Sequence, residues 1–204
     1  ISFIDEIVNK SRITATNEIL DLLREQVMLS LKQEGSSSMD SSKDGMDLAM
    51  VSIDLNSKEF HYSGAYNPLY LVRKLKRSEK AKLNKGLELE LPRGAMHDDR
   101  NLLLQIRADQ MPIGISENAQ AFRSTHFKDE GYNIYMFSDG YVDQFGGPAQ
   151  KKFMSKNFKK LILELQAIPM KEQGAALKKS LADWMGGLGQ VDDVLVIGLR
   201  MKRN

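Results

Sequence analysis

Residues 132–143 constrain the fold of this chain more than any other stretch of its sequence. They read Tyr-Asn-Ile-Tyr-Met-Phe-Ser-Asp-Gly-Tyr-Val-Asp, an apolar and aromatic run that stops abruptly at Ser138, Asp139 and Gly140. Such a run, bounded by turn residues, predicts a buried β-strand with Asp139 at its end. Gly140 allows a tight turn and a close approach of the main chain. A rigid strand that ends in Asp-Gly is suited to hold a carboxylate against a hard cation.

A second strand of the same kind is predicted near the end of the sequence. Residues 191–198 read Val-Asp-Asp-Val-Leu-Val-Ile-Gly, so Asp192 and Asp193 stand where this strand begins. If the two strands pair antiparallel, Asp192 lies alongside Asp139, and two carboxylates at that distance repel each other unless protons or a metal ion intervene. Asp-Gly and Asp-Asp are also common turn dipeptides, so each acid taken singly could simply belong to a turn.

The composition favours one globular domain over residues 1–204. Hydrophobic residues make up 42% and charged residues 27% of the chain, and no apolar run approaches the ~20 residues that a membrane helix needs. The formal net charge of +2 is too small to argue for a nucleic-acid partner. The absence of cysteine excludes disulfides, thiolate catalysis and zinc-finger sites, and it fits a reducing compartment such as the cytoplasm.

The spacing of apolar residues predicts a mixture of helices and antiparallel strands. Helices are predicted at residues 1–9, 16–33, 158–166 and 171–185. Strands are predicted at 48–54, 59–65 and 69–76 as one meander, at 83–91 as a short exposed strand, at 102–108, at 121–128 and 132–137 as a pair, and at 194–199. This order of elements favours an α+β domain.

A basic run extends from Arg73 to Lys85, where seven Lys or Arg residues stand among few acids. The ordinary interpretation of such a run is a solvated hairpin or loop. The alternative is that its positive potential steers a phosphorylated partner toward the site. Both interpretations stay open at this point.

Five segments in combination resemble one known family. They are residues 44–50, 62–73, 111–115, 137–148 and 190–198, which read Asp-Gly-Met-Asp-Leu-Ala-Met, Tyr-Ser-Gly-Ala-Tyr-Asn-Pro-Leu-Tyr-Leu-Val-Arg, Met-Pro-Ile-Gly-Ile, Phe-Ser-Asp-Gly-Tyr-Val-Asp-Gln-Phe-Gly-Gly-Pro and Gln-Val-Asp-Asp-Val-Leu-Val-Ile-Gly. In this order they resemble the bacterial SpoIIE-like branch of the metal-dependent serine/threonine phosphatases of the PPM, or protein phosphatase 2C, type. The resemblance implies a four-layer α-β-β-α sandwich, in which two antiparallel β-sheets lie between helices.

The resemblance also implies a set of metal ligands. Asp139 and Asp192 match ligand positions of the family, and the adjacent Asp193 and Gly140 are expected either to bind a metal ion or to support the residues that do. The implied cofactors are two Mn²⁺ or Mg²⁺ ions, hard cations that prefer carboxylate and carbonyl oxygens. A water activated by the metals, rather than a side chain, would attack the phosphorus atom.

Asp44 and Asp47 are further candidates for metal binding. Related phosphatases have an acid near this point that assists a weakly held additional ion, and these two bracket Gly45 and Met46 ahead of a predicted strand. The residue types by themselves favour acids of a surface turn. The sequence leaves both interpretations open.

The function implied by the resemblance is hydrolysis of phosphoserine or phosphothreonine on a regulatory protein in bacterial signal transduction. By family analogy that partner is of the anti-anti-sigma type. Members of this branch commonly lie behind sensory or membrane-anchoring modules, so an upstream sensor is expected. The domain itself is expected in the cytoplasm, without contact to a membrane or to nucleic acid. Pairing with a second copy is left open.

The chain departs from the family pattern at its beginning. Family members carry an early Asp-x-x-Gly-His-Gly segment that helps to hold the metals, whereas this sequence starts at residues that resemble the middle of the helix after it. The expectation is a domain that lacks its N-terminal part and has little or no activity as given. The alternative function is a non-catalytic, phosphatase-like interaction module that has lost a metal ligand. Residues 78–100 look like an insertion relative to the family.

Overall fold

The computed structural model describes residues 2–31 and 45–201. Its helices are α1 (Ser2–Asp5), α2 (Thr16–Ser30), α3 (Arg77–Asn84), α4 (Gly140–Asp143), α5 (Met154–Glu164) and α6 (Met170–Met185), with a π-helical turn at Glu6–Lys10 and a 3₁₀ turn at Leu165–Ala167. Its strands are β1 (Leu48–Asp54), β2 (Glu59–Ala65), β3 (Leu69–Lys74), β4 (Met96–His97), β5 (Asn101–Ile106), β6 (Thr125–Lys128), β7 (Asn133–Phe137), β8 (Phe145–Gly146), β9 (Lys151–Lys152) and β10 (Val196–Arg200). None of the helices in these ranges is both long and apolar enough to cross a bilayer.

The chain forms two compact units. The first comprises Ile1–Pro68 and Arg107–Asp129, and the second comprises Leu69–Ile106 and Glu130–Asn204. Each unit contains an antiparallel sheet with helices packed against it, which confirms the predicted α+β class. The single domain over residues 1–204 and the insertion near residues 78–100 stay predictions.

The first unit is built on a three-stranded sheet in the order β1-β2-β6. β1 pairs with β2 along its whole length, from Leu48 opposite Ala65 to Asp54 opposite Glu59. Helix α2 packs against β2 and buries Ile19, Leu20 and Leu23, since these residues recur on one helical face. The buried cluster also contains Ile7, Ala65, Met111, Ile113 and Phe122.

The second unit is built on a five-stranded sheet in the order β10-β7-β3-β5-β4. β7 lies between β10 and β3, so its backbone is paired on both sides. Helices α5 and α6 cover the core of this unit with Phe158, Ile162 and Leu177. The cluster also includes Tyr70, Val72, Leu103, Tyr135 and Phe137.

Two predicted strand pairings are wrong. Residues 69–76 do not continue the meander of β1 and β2, because β3 pairs with β5 and β7 in the five-stranded sheet. β6 and β7 do not pair with each other either, since β6 lies beside β2 and β7 belongs to the other sheet. Alternation of apolar residues identifies a strand, but it does not identify the partner of that strand.

The exposed strand predicted at residues 83–91 is also wrong. Residues 77–84 form helix α3, and residues 85–95 contain no strand. The signal that was missed is Glu79, whose carboxylate accepts a hydrogen bond from the backbone N–H of Lys76 at 2.6 Å and thereby caps the helix. A local capping contact therefore outweighs the weak alternation of leucines.

Candidate metal centre

Asp139 stands where β7 ends, as the sequence predicts. β7 is mostly buried and paired on both sides, which holds its end in place. The chain then enters α4 directly, with Asp139 at the N-cap position. The Asp139 side chain does not cap this helix, and its exposed carboxylate has no hydrogen bond or ion pair to any described residue. The carboxylate is therefore available to a ligand.

Gly140 brings this turn into contact with the segment that carries Asp192 and Asp193. A Cβ atom on residue 140 would lie 2.3 Å from the carbonyl oxygen of Asp193 and 3.3 Å from the carbonyl carbon of Asp192. Only glycine permits so close an approach of two backbones. The predicted antiparallel pairing is confirmed, because Val196 of β10 lies opposite Phe137 of β7. The acids at positions 139 and 192 therefore stand on touching segments.

The hydroxyl of Ser138 ties the two segments together. Its Oγ donates a hydrogen bond to the carbonyl oxygen of Asp193 at 2.8 Å and accepts one from the N–H of Leu195 at 2.9 Å. The backbone N–H of Ser138 also donates to the carbonyl oxygen of Leu195 at 3.0 Å. Ser138 therefore positions the Asp192 segment, whereas the sequence indicated only a turn residue.

Gln144 is a second anchor of the same segment, and it is fully buried just after α4. Its Oε1 accepts a hydrogen bond from the N–H of Val191 at 3.2 Å, and its Nε2 donates to the carbonyl oxygen of Gly189 at 2.9 Å. Its own carbonyl oxygen accepts from Nε1 of Trp184 at 3.0 Å. No local sequence pattern indicated this role, because the partners of Gln144 are distant in the chain.

Asp192 and Asp193 are both exposed, but Asp192 accepts a hydrogen bond with its carboxylate and Asp193 with its main-chain oxygen. Oδ1 of Asp192 accepts the backbone N–H of Asp193 at 2.6 Å, so this turn orients the Asp192 carboxylate. Gln190 Nε2 donates to the Asp192 carbonyl oxygen at 2.7 Å. Asp193 instead contributes its main-chain oxygen, to Ser138. The Asp192 carboxylate is therefore the better oriented of the two.

Asp143 is a further acid close to this turn. Its Oδ2 accepts a hydrogen bond from Lys152 Nζ at 2.8 Å, so a lysine of the β8–β9 hairpin compensates its charge. Asp139 has no such cation, although it lies only one helical turn earlier. The difference favours Asp139 over Asp143 as a ligand.

Asp47 belongs to the first unit, and Asp44 lies outside the described residues. Asp47 is exposed and follows Met46, which pairs with Ile113 through hydrogen bonds of 3.0 and 2.9 Å. A Cβ atom on Gly45 would lie 2.7 Å from Cβ of Pro112. The approach to β1 is thus held against residues 111–115, and metal binding by Asp44 or Asp47 stays a prediction.

The donor set fits a hard divalent cation. Asp139 and Asp192 offer carboxylate oxygens from two touching segments, and oxygen ligands suit Mg²⁺ and Mn²⁺. Within residues 2–31 and 45–201 no group of three or more His, Cys, Asp or Glu side chains could hold a metal ion. Asp139 and Asp192 therefore stay predicted ligands, and together they would supply only one part of a coordination shell.

Comparison with known proteins gives one family and several fold relatives. Residues 90–202 match the family described as Stage II sporulation protein E (SpoIIE). No curated protein sequence matches the chain at a significant level.

The fold relatives include two bacterial phosphatase-type domains. The SiaA-PP2C domain of Pseudomonas aeruginosa aligns with a TM-score of 0.72 and 19% identity, covering 98% of this chain and 67% of that one. The phosphatase domain of the cell fate determinant SpoIIE from Bacillus subtilis aligns with a TM-score of 0.51 and 15% identity, covering 94% and 76%. A sex-determining protein of C. elegans aligns with a TM-score of 0.51 and 15% identity, covering 98% and 51%. At these identities the alignments show a shared fold.

The family match covers more than half of the chain and includes Asp139, Gly140, Asp192 and Asp193. It confirms the resemblance found in the sequence, and the PP2C fold of the relatives agrees with the sheets and helices of both units. The chain belongs to the Stage II sporulation protein E (SpoIIE) family.

Proposed function

We propose that this domain is a metal-dependent protein phosphatase that hydrolyses phosphoserine or phosphothreonine on a regulatory protein. The observation that carries the proposal is the placement of Asp139 and Asp192 on touching segments, with the Asp139 carboxylate free of hydrogen bonds and ion pairs to the described residues. Membership of the SpoIIE family supports a phosphatase function. Family membership supports the reaction class, and we propose that the reaction takes place at the two aspartates.

Asp139 and Asp192 would hold the metal ions, with Asp193 and Gly140 shaping the backbone beside them. Bound Mn²⁺ or Mg²⁺ supplies a nucleophilic water and stabilises the charge of the phosphoryl oxygens. Ser138 and Gln144 hold the two aspartate segments together, so these backbone segments do not have to be brought together when the ion binds. A related SpoIIE phosphatase domain has a structure described as Mn presoaked, which makes Mn²⁺ the ion to test first.

The substrate class follows from exposure as well as from the family. Asp139, Asp192 and Asp193 are all exposed, so a phosphorylated side chain carried on a folded partner can reach them. By family analogy the proposed partner is a phosphorylated anti-anti-sigma-type protein, and the proposed setting is cytoplasmic signal transduction under an upstream sensor. A deep, narrow pocket would instead favour a small molecule.

A second candidate function is a non-catalytic interaction module. It is favoured by one observation, the lack of a group of three or more metal-ligating side chains within the described residues. The two functions differ in Mn²⁺ binding and in turnover, so one set of measurements separates them.

The experiment is Mn²⁺-dependent hydrolysis of p-nitrophenyl phosphate and of phosphoserine, phosphothreonine and phosphotyrosine peptides, beside calorimetric Mn²⁺ titration. In a protein that carries the Asp-x-x-Gly-His-Gly segment ahead of these residues we expect turnover of the ester and of the first two peptides, whereas residues 1–204 alone are expected to show little or none. Asp139→Asn and Asp192→Asn should each lower turnover about a hundredfold or more while circular dichroism is unchanged. Asp183→Asn, at an exposed acid on α6, is the matched control and should keep full turnover.

Full turnover by Asp139→Asn would refute the ligand assignment. Absence of both Mn²⁺ binding and turnover in the protein that carries the Asp-x-x-Gly-His-Gly segment would favour the interaction module. Asp44→Ala and Asp47→Ala address the additional ion, because an unchanged dependence of turnover on Mn²⁺ concentration would exclude both acids as ligands.

A further inference from the structure

The basic run noted in the sequence lines a pocket in the second unit. The pocket has a volume of about 700 Å³ and opens where β3 ends, β7 begins and β10 ends. We call it the basic pocket; it is lined by Arg73, Lys74, Leu75, Lys76, Glu130, Gly131, Arg200 and Met201. Val72 and Arg200 both lie opposite Asn133, the first residue of β7. The basic pocket therefore lies at the end of β7 opposite Asp139, roughly 20 Å away if the six residues from Asn133 to Asp139 each span ~3.3 Å.

Arg73 forms a fixed and largely compensated part of the basic pocket. Its Nη1 and Nη2 donate hydrogen bonds to the two carboxylate oxygens of Glu79 at 2.8 and 2.7 Å, and its side chain is only 10% exposed. Glu130 Oε2 lies 3.9 Å from Arg73 Nε and 3.0 Å from Lys76 Nζ. The carboxylate of Glu130 thus lies between an arginine and a lysine, which shows that these two cations can bind a carboxylate together.

Two further cations of the basic pocket have neutral partners. Lys74 Nζ donates to Oδ1 of Asn101 at 2.9 Å, and Arg200 Nε donates to Oδ1 of Asn133 at 2.7 Å. An amide oxygen orients a cation but does not neutralise it. The pocket therefore keeps a positive charge after its two internal carboxylates are counted.

Positive charge continues along α3 and its C-cap residue Lys85. Arg77, Lys80, Lys82 and Lys85 are all exposed, and none of them forms an ion pair within the part of the chain that the structure describes. An eight-residue helix is about 12 Å long, so the surface extends beyond the space of one small anion. Residues 73–85 contain seven cationic side chains and one acidic side chain, in a chain whose net charge is only +2. The charge is concentrated here rather than spread over the molecule.

We propose that the basic pocket and α3 together bind an acidic peptide segment of a protein partner. The length of the surface favours a peptide over a single anion, and the concave pocket with its fixed Arg73 favours carboxylates presented by a chain over a flat lipid surface. The basic pocket lies at the far end of β7, so a peptide bound there leaves Asp139 exposed. The basic run would therefore attract the protein partner through its positive potential, and it would not itself contact the phosphate at Asp139.

The experiment measures binding of a fluorescently labelled oligoglutamate peptide to the protein by anisotropy, without metal, so the result does not depend on hydrolysis. Lys80→Glu combined with Lys82→Glu should weaken binding about tenfold or more, since each reversal replaces attraction with repulsion. Lys171→Glu combined with Lys178→Glu on α6 changes the net charge equally and should have little effect. Lys74→Gln combined with Arg200→Gln tests the pocket itself and should also weaken binding.

Equal weakening by the α3 and α6 variants would overturn the proposal, because binding would then follow net charge alone. Absence of peptide binding would overturn it as well. Binding to phosphatidylserine vesicles or to a single-stranded oligonucleotide in preference to the peptide would replace the protein partner with a membrane or a nucleic acid. Circular dichroism and thermal melting of each variant separate loss of binding from loss of fold.

Discussion

Acidic side chains lie near one end of β7 and basic side chains near the other, and the two groups differ in how far ion pairs compensate their charge. At the end that leads into α4, the Asp139 carboxylate has no ion pair to any described residue. At the beginning of the strand, Arg73 is held by Glu79 and Lys76 by Glu130. The basic end thus contains much of its own counter-charge, whereas at the acidic end Lys152 compensates Asp143 and no described cation pairs with Asp139.

This difference is informative because like charges placed together destabilise a fold unless something compensates them. The backbone contact at Gly140 and the anchors Ser138 and Gln144 hold the Asp192 segment against the Asp139 turn, and neither carboxylate forms an ion pair with a described residue. An arrangement of this kind is typical of a site whose counter-charge is a ligand. At the basic end, by contrast, ion pairs within the protein already hold Arg73 and Lys76 in place. The positive charge that remains there suits an acidic protein partner.

Gly140→Val should have the largest effect on the acidic end. The added Cβ would meet the Asp193 carbonyl oxygen at 2.3 Å, so we expect the free energy of unfolding to fall by about 3 kcal/mol and turnover to be lost. Chemical denaturation and ester hydrolysis measure the two effects. The control is Gly174→Val on α6, where no described atom lies within 4 Å and the change should stay within about 0.5 kcal/mol. Equal effects at both positions would contradict the contact.

Gln144→Leu should have the next largest effect. The change removes the partners of the Val191 N–H and the Gly189 carbonyl, which should cost about 2 kcal/mol of unfolding free energy and weaken Mn²⁺ binding. Gln173→Leu is the matched control, since Gln173 is buried and bonds Tyr135 and Leu165. It should cost similar stability and leave Mn²⁺ affinity unchanged. Equal losses of affinity in both variants would show that stability alone controls binding.

Ser138→Ala should have a smaller effect of the same kind. It removes two hydrogen bonds to a segment that water can also reach, so we expect a loss of about 1 kcal/mol and a modest weakening of Mn²⁺ binding. Ser138→Thr keeps the hydroxyl and should restore most of the Mn²⁺ affinity. An alanine variant with full affinity would show that β10 alone positions Asp192.

Glu79→Gln should have the smallest effect, and only at the basic end. Its hydrogen bonds with Arg73 lower the pKa of Glu79 from 4.5 to about 2. The folded state therefore binds fewer protons than the unfolded state, so the stabilisation is present above pH 4.5 and is lost as the pH falls toward 2. Glu79→Gln should lower stability at pH 7 by about 0.5 kcal/mol and flatten the pH dependence in that window. Denaturation at pH 6 and pH 3 measures both.

Some elements could be predicted because their signal is local. The strand before Asp139 and the strand after Asp193 are short apolar runs bounded by turn residues, and both lie within two residues of their predicted bounds. Helix α6 is likewise recognised by its apolar face. Periodicity and turn residues are properties of neighbouring positions, so the chain displays them before it folds.

Strand partners could not be predicted in the same way. The order of the strands in the chain predicted that β3 pairs with β2 and β6 with β7. In the structure β3 lies next to β7, and β6 lies next to β2. Residues 83–91 resembled a strand, yet the capping contact of Glu79 begins a helix at Arg77. A strand pattern is satisfied by any partner with a complementary face, so the partner depends on packing across the whole unit.

The sequence by itself determined that carboxylates stand at the ends of two strands, that a basic run follows a third, and that the segments around them are those of a phosphatase family. Only the tertiary structure decided that Asp193 touches Gly140, that Gln144 holds residues 189 and 191, and that Arg200 joins Arg73 in one pocket. The physical reason is that these contacts join residues far apart in the chain. Their geometry follows from strand pairing and burial in the folded unit, which local residue patterns do not specify.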